Sequence, residues 1–325
     1  MPKGYHHLTY EQRCQIEALL KSGISRSGCA DQLGVHRSAI TRELARNSGG
    51  RGYRFKQAQG KTDERRRKAA KARNKMTPAL IARIEADLTE RQWSPEQIAG
   101  RLRLEGGPSV SHERIYQHIR ADKKAGGTLW KHLRHRGKPY NVGKKGKTAG
   151  RGLIPGRVDI DQRPAVVEQK SRIGDWEGDT IIGKAHKGAI ASHVDRASKL
   201  TKLTLLPDKA AEGVVNACRS ALLPLADFVH TITYDNGKEF ARHQEISAML
   251  DAKIYFAKPY HSWERGLNEH TNGLVRQYFP KGTDLAILTS DEVQAVEDKL
   301  NNRPRKTLGF RTPLEVFSST VALRP

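Results

Sequence analysis

The sequence predicts a multi-domain chain, in which an all-α N-terminal half is followed by an α/β domain. The first observation is charge. Residues 1–158 carry 35 Lys and Arg against 13 Asp and Glu, whereas residues 159–325 carry 23 against 22. The second is pattern, which changes near residue 159 from capped helical segments with turn glycines to alternating strands and helices. A length of 325 residues also exceeds one ordinary domain.

The charge and the cysteines limit the class of protein. A basic half joined to a nearly neutral half is the electrostatic footprint of a polyanion-binding unit, and we expect double-stranded DNA as its partner. The three cysteines are far apart and odd in number, which argues against a disulfide framework or a CxxC zinc site. No apolar signal core or run of about 18 apolar residues occurs, so we expect no membrane partner and a cytoplasmic location.

Residues 1–60 predict a helix-turn-helix domain. Thr9 can cap a helix that Gly23 ends, a short helix follows at about 25–33, and Gly34 turns the chain into a third helix. The spacing of small residue, turn glycine and apolar residue is typical of the motif. The alternative is a helical bundle with a solvated basic face. The third helix is expected to contact DNA through His36, Arg37, Ser38, Thr41, Arg42 and Arg46.

Residues 76–122 predict a second helix-turn-helix unit. Ser94 and Gln97 form a capping box with Pro95 at the first helical position. Glycines and a proline then break this helix, and Ser111 begins another. The exposed face of that helix is expected to contact DNA through His112, Arg114, Gln117 and Arg120.

Two connecting segments are basic. Residues 61–75 form either a helix along DNA phosphates or a solvated connector, and the sequence does not choose between them. Residues 123–158 are rich in Lys, Arg and Gly and contain no acidic residue. Such a composition cannot bury a core and predicts an extended linker, which we expect to lie along bound DNA.

Residues 159–325 predict the α/β domain. Strands are expected at about 173–183, 188–195, 199–206, 228–234 and 252–256, and helices at about 209–223, 238–250, 262–277 and 291–302. Three consecutive strands followed by alternating helices and strands are typical of a ribonuclease-H-like catalytic domain with a mixed five-stranded sheet. In that fold Asp179 lies on the first strand, Asp235 ends the fourth, and Glu269 lies on a helix that crosses the sheet edge.

These three acidic residues stand in the order and context of a metal site for nucleotidyl transfer. The 33 residues between Asp235 and Glu269 leave room for a helix, a strand and a turn that bring the glutamate back to the aspartates. Gathered carboxylates repel each other by about 3 kcal/mol per pair at ~5 Å and an effective dielectric constant of ~20, and divalent cations relieve this repulsion. Mg²⁺ or Mn²⁺ takes such oxygen ligands, and a pair of ions drives in-line displacement at phosphorus.

Other acidic residues compete for each position of the triad. Those on the first strand share one face, so periodicity does not choose among them. We favour Asp179 as the deepest in the strand, where an unpaired carboxylate is costly. Glu264, beside Arg265, is interpreted as a surface ion pair. The competitors are Asp175 and Glu177 for the first position, Glu239 for the second and Glu264 for the third.

Polar neighbours are expected to support the reaction. Asn236 begins a turn after a strand, which lets the backbone approach the site closely. Glu269, Asn272 and Arg276 are spaced i, i+3 and i+7, which makes one polar stripe. Arg276 is expected to meet the phosphodiester. The expected reaction is attack of metal-activated water on phosphorus, followed by attack of the released 3′-hydroxyl on a target strand.

The motifs resemble those of the insertion-sequence-thirty family of bacterial transposases. In the helix-turn-helix, Ser38–Asn47 is similar to the family pattern, although Ala39 stands where threonine is frequent and Cys29 where isoleucine is usual. The segment Trp263–Arg276 is highly specific to the family, and the likeness covers nearly the whole chain. The catalytic segments that carry it are Trp176–Thr180, Asp235–Phe240, Trp263–Arg276 and Asn302–Phe310.

The resemblance implies a DDE transposase. It implies Asp179, Asp235 and Glu269 as ligands of two Mg²⁺ or Mn²⁺ ions, and it favours Asp179 over Asp175 because the family aspartate follows the tryptophan by three residues. The helix-turn-helix units would recognise the terminal inverted repeats of the element, and the catalytic domain would also act on target DNA. A homo-oligomer on DNA, without a nucleotide cofactor and associated with the bacterial nucleoid, is expected.

Two other classes of protein compete with this interpretation. A DNA-binding regulator would use the ribonuclease-H-like half only for dimerisation, and the intact acidic triad argues against it. A nuclease of ribonuclease-H type would cleave without joining strands, and the two N-terminal DNA-reading units argue against that. Loss of strand transfer in Glu269→Gln would exclude the first class, and integrated products in a joining assay would exclude the second.

Overall fold

The computed structural model describes residues 7–72, 75–134, 154–258 and 261–322. The chain separates into two compact units, residues 1–77 and 78–325. Helix α4 packs against α1 and α3, so the basic connector predicted at 61–75 is largely part of a helix of the first unit. The described helices of this unit are α1 (Tyr10–Lys21), α2 (Arg26–Gln32), α3 (Arg37–Asn47) and α4 (Phe55–Ala72).

The first three helices of this unit begin at side-chain caps, and the cap predicted at Thr9 is present. Thr9 and Gln12 form a capping box at α1, Ser25 caps α2, and the His36 ring caps α3. The turn between α2 and α3 uses Gly34 at φ +61°, a conformation that favours glycine. The helix-turn-helix prediction is confirmed around a small core of Ile16, Cys29, Ala30 and Ile40.

The second unit begins with three more helices, α5 (Pro78–Thr89), α6 (Pro95–Leu104) and α7 (His112–Lys124). The capping box of Ser94 and Gln97 is present at α6, and Ser111 caps α7. Ile115 and Ile119 are buried, as predicted. Helix α5 was not predicted individually, although it lies inside the segment assigned to a second helix-turn-helix unit.

Helix α6 is joined to the C-terminal segment of the same unit. A Cβ atom on Gly100 would lie 2.2 Å from the Phe310 ring, so only glycine allows this close approach. The Arg101 guanidinium donates to both Glu315 carboxylate oxygens, each at 2.7 Å. The Lys306 ammonium contacts a Glu96 oxygen at 2.7 Å. An aromatic contact and two ion pairs therefore fix α6 on this segment.

Five strands form one mixed sheet, in the order β3-β2-β1-β4-β5. Strands β1, β2 and β3 pair antiparallel, whereas β4 and β5 run parallel to β1. This order and these directions are those of a ribonuclease-H-like fold, which confirms the predicted fold class. The strands are β1 (Asp175–Ile182), β2 (Ala189–Asp195), β3 (Thr201–Leu206), β4 (Thr231–Tyr234) and β5 (Lys253–Phe256).

Helices cover both faces of the sheet. Trp176 packs in one core with α9 and α10, while Ile181, which points to the opposite face, packs with α11 and α12. Helix α11 contacts β1 and β2. It therefore covers the middle of the sheet, and the prediction that it crosses the sheet edge was wrong. The remaining α-helices among the described residues are α8 (Ala165–Gln169), α9 (Ala211–Leu222), α10 (His243–Leu250), α11 (Gly266–Tyr278), α12 (Ser290–Asn301) and α13 (Pro313–Val321).

The predicted linker, residues 123–158, is structured at both ends. After α7, Leu129–His132 form one turn of 3-10 helix. At the other end Ile154 is buried in the domain core, and the Val158 carbonyl accepts from the Phe256 N–H at 2.9 Å. The middle of the linker prediction, 135–153, lies outside the described residues. Within the part of the chain that is described, no helix is both long and apolar enough to cross a membrane.

Candidate active site

Asp179 lies in β1 on the sheet face that α11 covers. Its Oδ2 accepts from the Asn272 side-chain amide at 2.9 Å, and its Oδ1 accepts from the Thr180 backbone N–H at 2.8 Å. Asn272 is held in turn by the Ser192 hydroxyl on β2, which donates to its Oδ1 at 3.0 Å. The sheet and α11 together therefore fix the direction of the Asp179 carboxylate.

Asp235 follows the last residue of β4, the parallel neighbour of β1. Its Oδ1 accepts from the Gly237 N–H at 2.8 Å, a turn that begins where the strand ends. Asn236 has a different partner, because its Nδ2 donates to the Ala257 carbonyl at 2.6 Å and its Oδ1 accepts from Arg157. Asn236 thus ties the end of β4 to the end of β5, and its side chain is engaged away from the carboxylate of Asp235.

Arg265 lies between the two aspartates. One guanidinium nitrogen, Nη1, is 3.7 Å from Asp179 Oδ2, and the other, Nη2, is 3.5 Å from Asp235 Oδ2. Nη1 also donates to the Gly178 carbonyl at 2.9 Å. The residue is 6% exposed. The sequence interpretation of Arg265 as half of a surface ion pair with Glu264 was therefore wrong, because the Glu264 carboxylate instead accepts from the Lys258 backbone N–H.

The two carboxylates affect each other electrostatically. Burial raises the pKa of Asp179 above its ordinary range, and the charge of Asp235 raises it further. The Arg265 guanidinium opposes both effects. A cation at this position is therefore favourable for the carboxylate pair, and in this structure the protein supplies that cation from its own side chain. The sequence alone does not reveal this role of Arg265, which lies four residues before Glu269.

Glu269 is not brought into contact with the aspartates. It lies in the first turn of α11 with an exposed side chain. At about 100° per residue it is turned only ~60° around the helix axis from Asn272, which contacts Asp179, so it borders the helix face that meets the aspartates. No group of three His, Cys, Asp or Glu side chains among the described residues is arranged to hold a metal ion. The structure thus assembles the aspartate pair but not the full triad.

The polar stripe predicted on α11 is present, but Arg276 has another partner. Its Nη2 donates to the Ile182 carbonyl, the last residue of β1, at 2.7 Å. Burial lowers the pKa of this guanidinium. Arg276 therefore closes the end of β1 in this structure, while Asn272, one turn earlier, is the residue of the stripe that contacts an aspartate.

The competing acidic residues are already paired. Asp175 binds the Arg172 guanidinium at 2.8 and 2.9 Å, and Glu177 binds Arg196 at 2.7 Å. Both are more buried than Asp179, so the prediction that Asp179 is the deepest of the three was wrong. Glu239 binds Lys209 at 2.6 Å. Since these carboxylates are neutralised by basic side chains, Asp179 and Asp235 stand out through sharing a single guanidinium.

The predicted DNA-contacting side chains lie mainly on exposed helix faces. On α3, His36 is engaged as the helix cap, and the Arg42 Nε donates to the Ser38 carbonyl of its own helix at 3.1 Å. Ser38 is half-buried and the other five are exposed. On α7, Arg120 contacts Glu113 at 2.8 Å. All four residues predicted there are exposed: His112, Arg114, Gln117 and Arg120.

Family models match the N-terminal part of the chain. A model described as a helix-turn-helix domain matches residues 4–47, and one described as a homeodomain-like domain matches residues 40–119. Among solved structures, the catalytic core domain of BIV integrase is 20% identical, with a TM-score of 0.35 over 46% of this chain and 95% of its own. The HTLV-2 integrase catalytic core domain, solved in complex with magnesium, is 22% identical, with a TM-score of 0.35 over 45% and 96%.

Curated relatives match almost the entire chain. The transposase for insertion sequence element IS4351 of Bacteroides fragilis is 50% identical over 97% of this chain and 96% of its own. The transposase for element IS1086 of Cupriavidus metallidurans is 36% identical over 98% and 96%. The transposase for element IS30A of Escherichia coli K12 is 35% identical over 98% and 85%. With this identity over this length, the chain belongs to the IS30 family of insertion-sequence transposases.

Proposed function

We propose that this transposase binds the terminal inverted repeats of its own element and cleaves and joins DNA strands at a site formed by Asp179, Asp235 and Glu269. The observation that carries the proposal is that two carboxylates, from β1 and from the end of its parallel neighbour β4, converge on the buried Arg265 guanidinium. Each ligand would contribute carboxylate oxygens to a pair of Mg²⁺ or Mn²⁺ ions, the hard cations that such oxygens prefer.

The residues fit a divalent cation. Asp179 is half-buried, and its pKa is raised by desolvation and by the neighbouring Asp235. A divalent cation would lower the free energy of this charged pair, because opposite charge within a few ångströms favours the ionised carboxylate. Glu269 borders the same face of α11, and rotation of its long exposed side chain would be needed to complete the ligand set.

The chain's own groups prepare the site for in-line displacement. Asn272 and the Thr180 N–H hold the two oxygens of Asp179, and the Gly237 N–H holds one oxygen of Asp235. When bound, divalent ions would act as Lewis acids on the phosphodiester and on the attacking oxygen. Hydrolysis forms a bond from water oxygen to phosphorus and breaks the P–O3′ bond, and a proton from the attacking water passes through solvent to the departing 3′-oxygen, which leaves as a hydroxyl. The freed 3′-hydroxyl then attacks a target phosphodiester, whose own 3′-oxygen departs.

The helical units would bring the DNA to this site. Helices α3 and α7 each follow a turn and present basic and polar side chains to solvent, the arrangement of a recognition helix in the major groove. We propose that they read the inverted repeats, that a homo-oligomer joins the two element ends, and that the protein acts on the nucleoid. Crosslinking in the presence and absence of DNA carrying both ends would reveal a DNA-dependent oligomer.

The function is tested by strand cleavage and joining on DNA that carries the element ends. With Mg²⁺, we expect Asp179→Asn, Asp235→Asn and Glu269→Gln each to lose at least about 100-fold in both steps while still binding the ends. Asp251→Asn is the matched control. Asp251 is an exposed carboxylate of the same domain at φ +46°, which asparagine tolerates, so its activity should be unchanged.

Two outcomes would contradict the proposal. Unchanged cleavage and joining in the aspartate variants would show that the chemistry lies elsewhere. Cleavage by the unaltered protein without any joining to a supercoiled target would identify a nuclease instead. Since binding to the ends is measured in parallel, a loss of activity through misfolding is recognised by loss of binding as well.

A further inference from the structure

Basic side chains gather along one side of α11. The Arg303 guanidinium donates to Gln277 Oε1 at 3.3 Å and to the Tyr278 hydroxyl at 2.6 Å. The Arg134 Nη2 lies 3.3 Å from the position that a Cβ on Gly273 would occupy. Burial lowers the pKa of His270, and the nearby charges of Arg305 and Arg134 also lower it. We call the four residues the α11 basic cluster: Arg134, His270, Arg303 and Arg305.

The α11 basic cluster lacks a neutralising carboxylate. Over the described ranges of the chain, no salt bridge involves any of its members. Each of the other buried arginines among the described residues has a carboxylate oxygen within 4 Å. These paired residues are Arg13 with Glu43, Arg163 with Glu168, Arg196 with Glu177, and Arg265 with the two aspartates. Arg303, only 3% exposed, is the buried arginine among the described residues that lacks such a partner.

Hydrogen-bond donors of the cluster are also left over. The Nε atoms of Arg303 and Arg305 are buried and have no hydrogen-bond partner in the described structure. Burial, together with the charges of Arg303 and Arg134, lowers the pKa of Arg305 to about 10. Burial likewise lowers the pKa of Arg303. Like charges that lie close together and N–H donors without acceptors both cost free energy. A bound anion would relieve both costs.

The position of the cluster connects it with the proposed chemistry. The cluster meets α11 at His270, Gly273 and Gln277, at i, i+3 and i+7, so these residues form one stripe. At about 100° per residue this stripe lies ~100–160° around the helix from Asn272, which contacts Asp179, and Glu269 falls between them at ~60°. An anion on the cluster would therefore lie next to the exposed Glu269 carboxylate, on the side away from the aspartates.

We propose that the α11 basic cluster binds a backbone phosphate of the DNA strand on which the catalytic residues act. Guanidinium groups offer paired N–H donors that match phosphate oxygens, and a phosphodiester supplies the missing negative charge. His270 and Arg305 of the cluster border a cavity of about 780 Å³, whose other charged lining residues combine Asp161, Glu168, Glu177 and Glu264 with basic side chains such as Arg163 and Arg196. The inference rests on the proposed function, because it takes the bound strand to be the substrate.

The test uses the full-length protein and a duplex of the element end, taken from the DNA that flanks the coding region. Binding is measured over a series of salt concentrations for the unaltered protein and for the double variant Arg134→Gln/Arg305→Gln. We expect about tenfold weaker binding and a salt slope smaller by about one, the effect of losing one phosphate contact. Arg305→Lys with Arg134 intact keeps the charge and should retain the slope.

A matched control separates this site from general charge. Arg242→Gln removes an arginine that Glu245 already neutralises at 2.6 Å, and we expect no change in the slope. A single neutral methylphosphonate is then placed at each position near the cleaved end in turn. At one position it should weaken binding by the unaltered protein while leaving the double variant unaffected.

The proposal is overturned if the double variant keeps both affinity and salt slope, or if no methylphosphonate position is coupled to it. A change in sedimentation without a change in slope would also overturn it, because the cluster would then bind an acidic segment of a second copy. DNA binding is measured without metal, so this readout does not depend on strand cleavage. If Asp179→Asn cleaves normally while the double variant loses its slope, the proposed catalytic site fails and the phosphate site stands.

Discussion

Replacing Arg265 by glutamine should separate the stability of the metal-free protein from its affinity for divalent cations. The variant Arg265→Gln keeps a hydrogen-bond donor near the Gly178 carbonyl but removes the charge that faces Asp179 and Asp235 at 3.7 and 3.5 Å. Two like carboxylates would then remain beside each other without a cation.

The distances set the size of the effect. A unit charge pair at ~3.6 Å and an effective dielectric constant of ~20 attracts by about 4–5 kcal/mol, and removing one partner of a buried pair costs about 3–5 kcal/mol. Because each aspartate side chain is 19% exposed, we expect the lower end of that range, about 3 kcal/mol. For a domain of this size that lowers the melting temperature by about 6–12 °C in EDTA.

Magnesium should reduce this difference in stability between the variant and the unaltered protein. Since the guanidinium no longer competes for the same carboxylate oxygens, we expect Arg265→Gln to bind Mg²⁺ at least about tenfold more tightly than the unaltered protein and to gain more stability from it. The assay is thermal unfolding with and without Mg²⁺, together with calorimetric titration. Arg242→Gln, which removes an exposed ion pair, should change neither quantity. Weaker Mg²⁺ binding by Arg265→Gln would refute the reasoning, because Arg265 would then belong to the metal-bound site.

Two further predictions concern the core beneath Asp179. In Gly178→Ala the added Cβ would lie 2.2 Å from the Tyr234 ring, so urea unfolding should show a loss of about 2–3 kcal/mol, whereas Gly266→Ala, with no atom within 4 Å of its Cβ, should cost nothing. Burial lowers the pKa of His193 to about 4. Between about pH 6.5 and 4 the unfolded chain therefore binds a proton at this residue that the folded protein does not bind. About 3 kcal/mol of stability should be lost as the pH falls through this range. Urea midpoints at both ends of that range should fall less steeply in His193→Gln, and an equal fall would refute the assignment.

Much of the fold could be predicted because it depends on local signals. Thr9 and Ser94 cap their helices as expected, since a cap needs only the residue itself and the backbone N–H groups that follow. The strands were recognisable because both faces of the sheet are covered. Helix α13 was missed even though Thr312 and Glu315 form a capping box there, so the signal was present but unused.

The candidate site was less predictable, because it depends on contacts across the chain. The sequence identified Asp179 and Asp235, which the sheet places on neighbouring strands. It could not show that Arg265 lies between them, since a charged residue beside Glu264 has the pattern of a solvated surface pair. Nor could strand periodicity show that Glu177 is neutralised by Arg196, a residue that follows β2. The ligand roles of the triad, Glu269 above all, stay predictions.

The contact between Gly100 and Phe310 has a consequence for where DNA is cut. Helix α7 packs on α6, and α6 is fastened to the C-terminal segment through this contact and through Arg101 and Glu315. Base pairs bound by α7 would therefore lie at a fixed distance from Asp179 and Asp235. Gly100→Ala would displace α6, and α7 with it, from the C-terminal segment, so the position of cleavage along the strand should change.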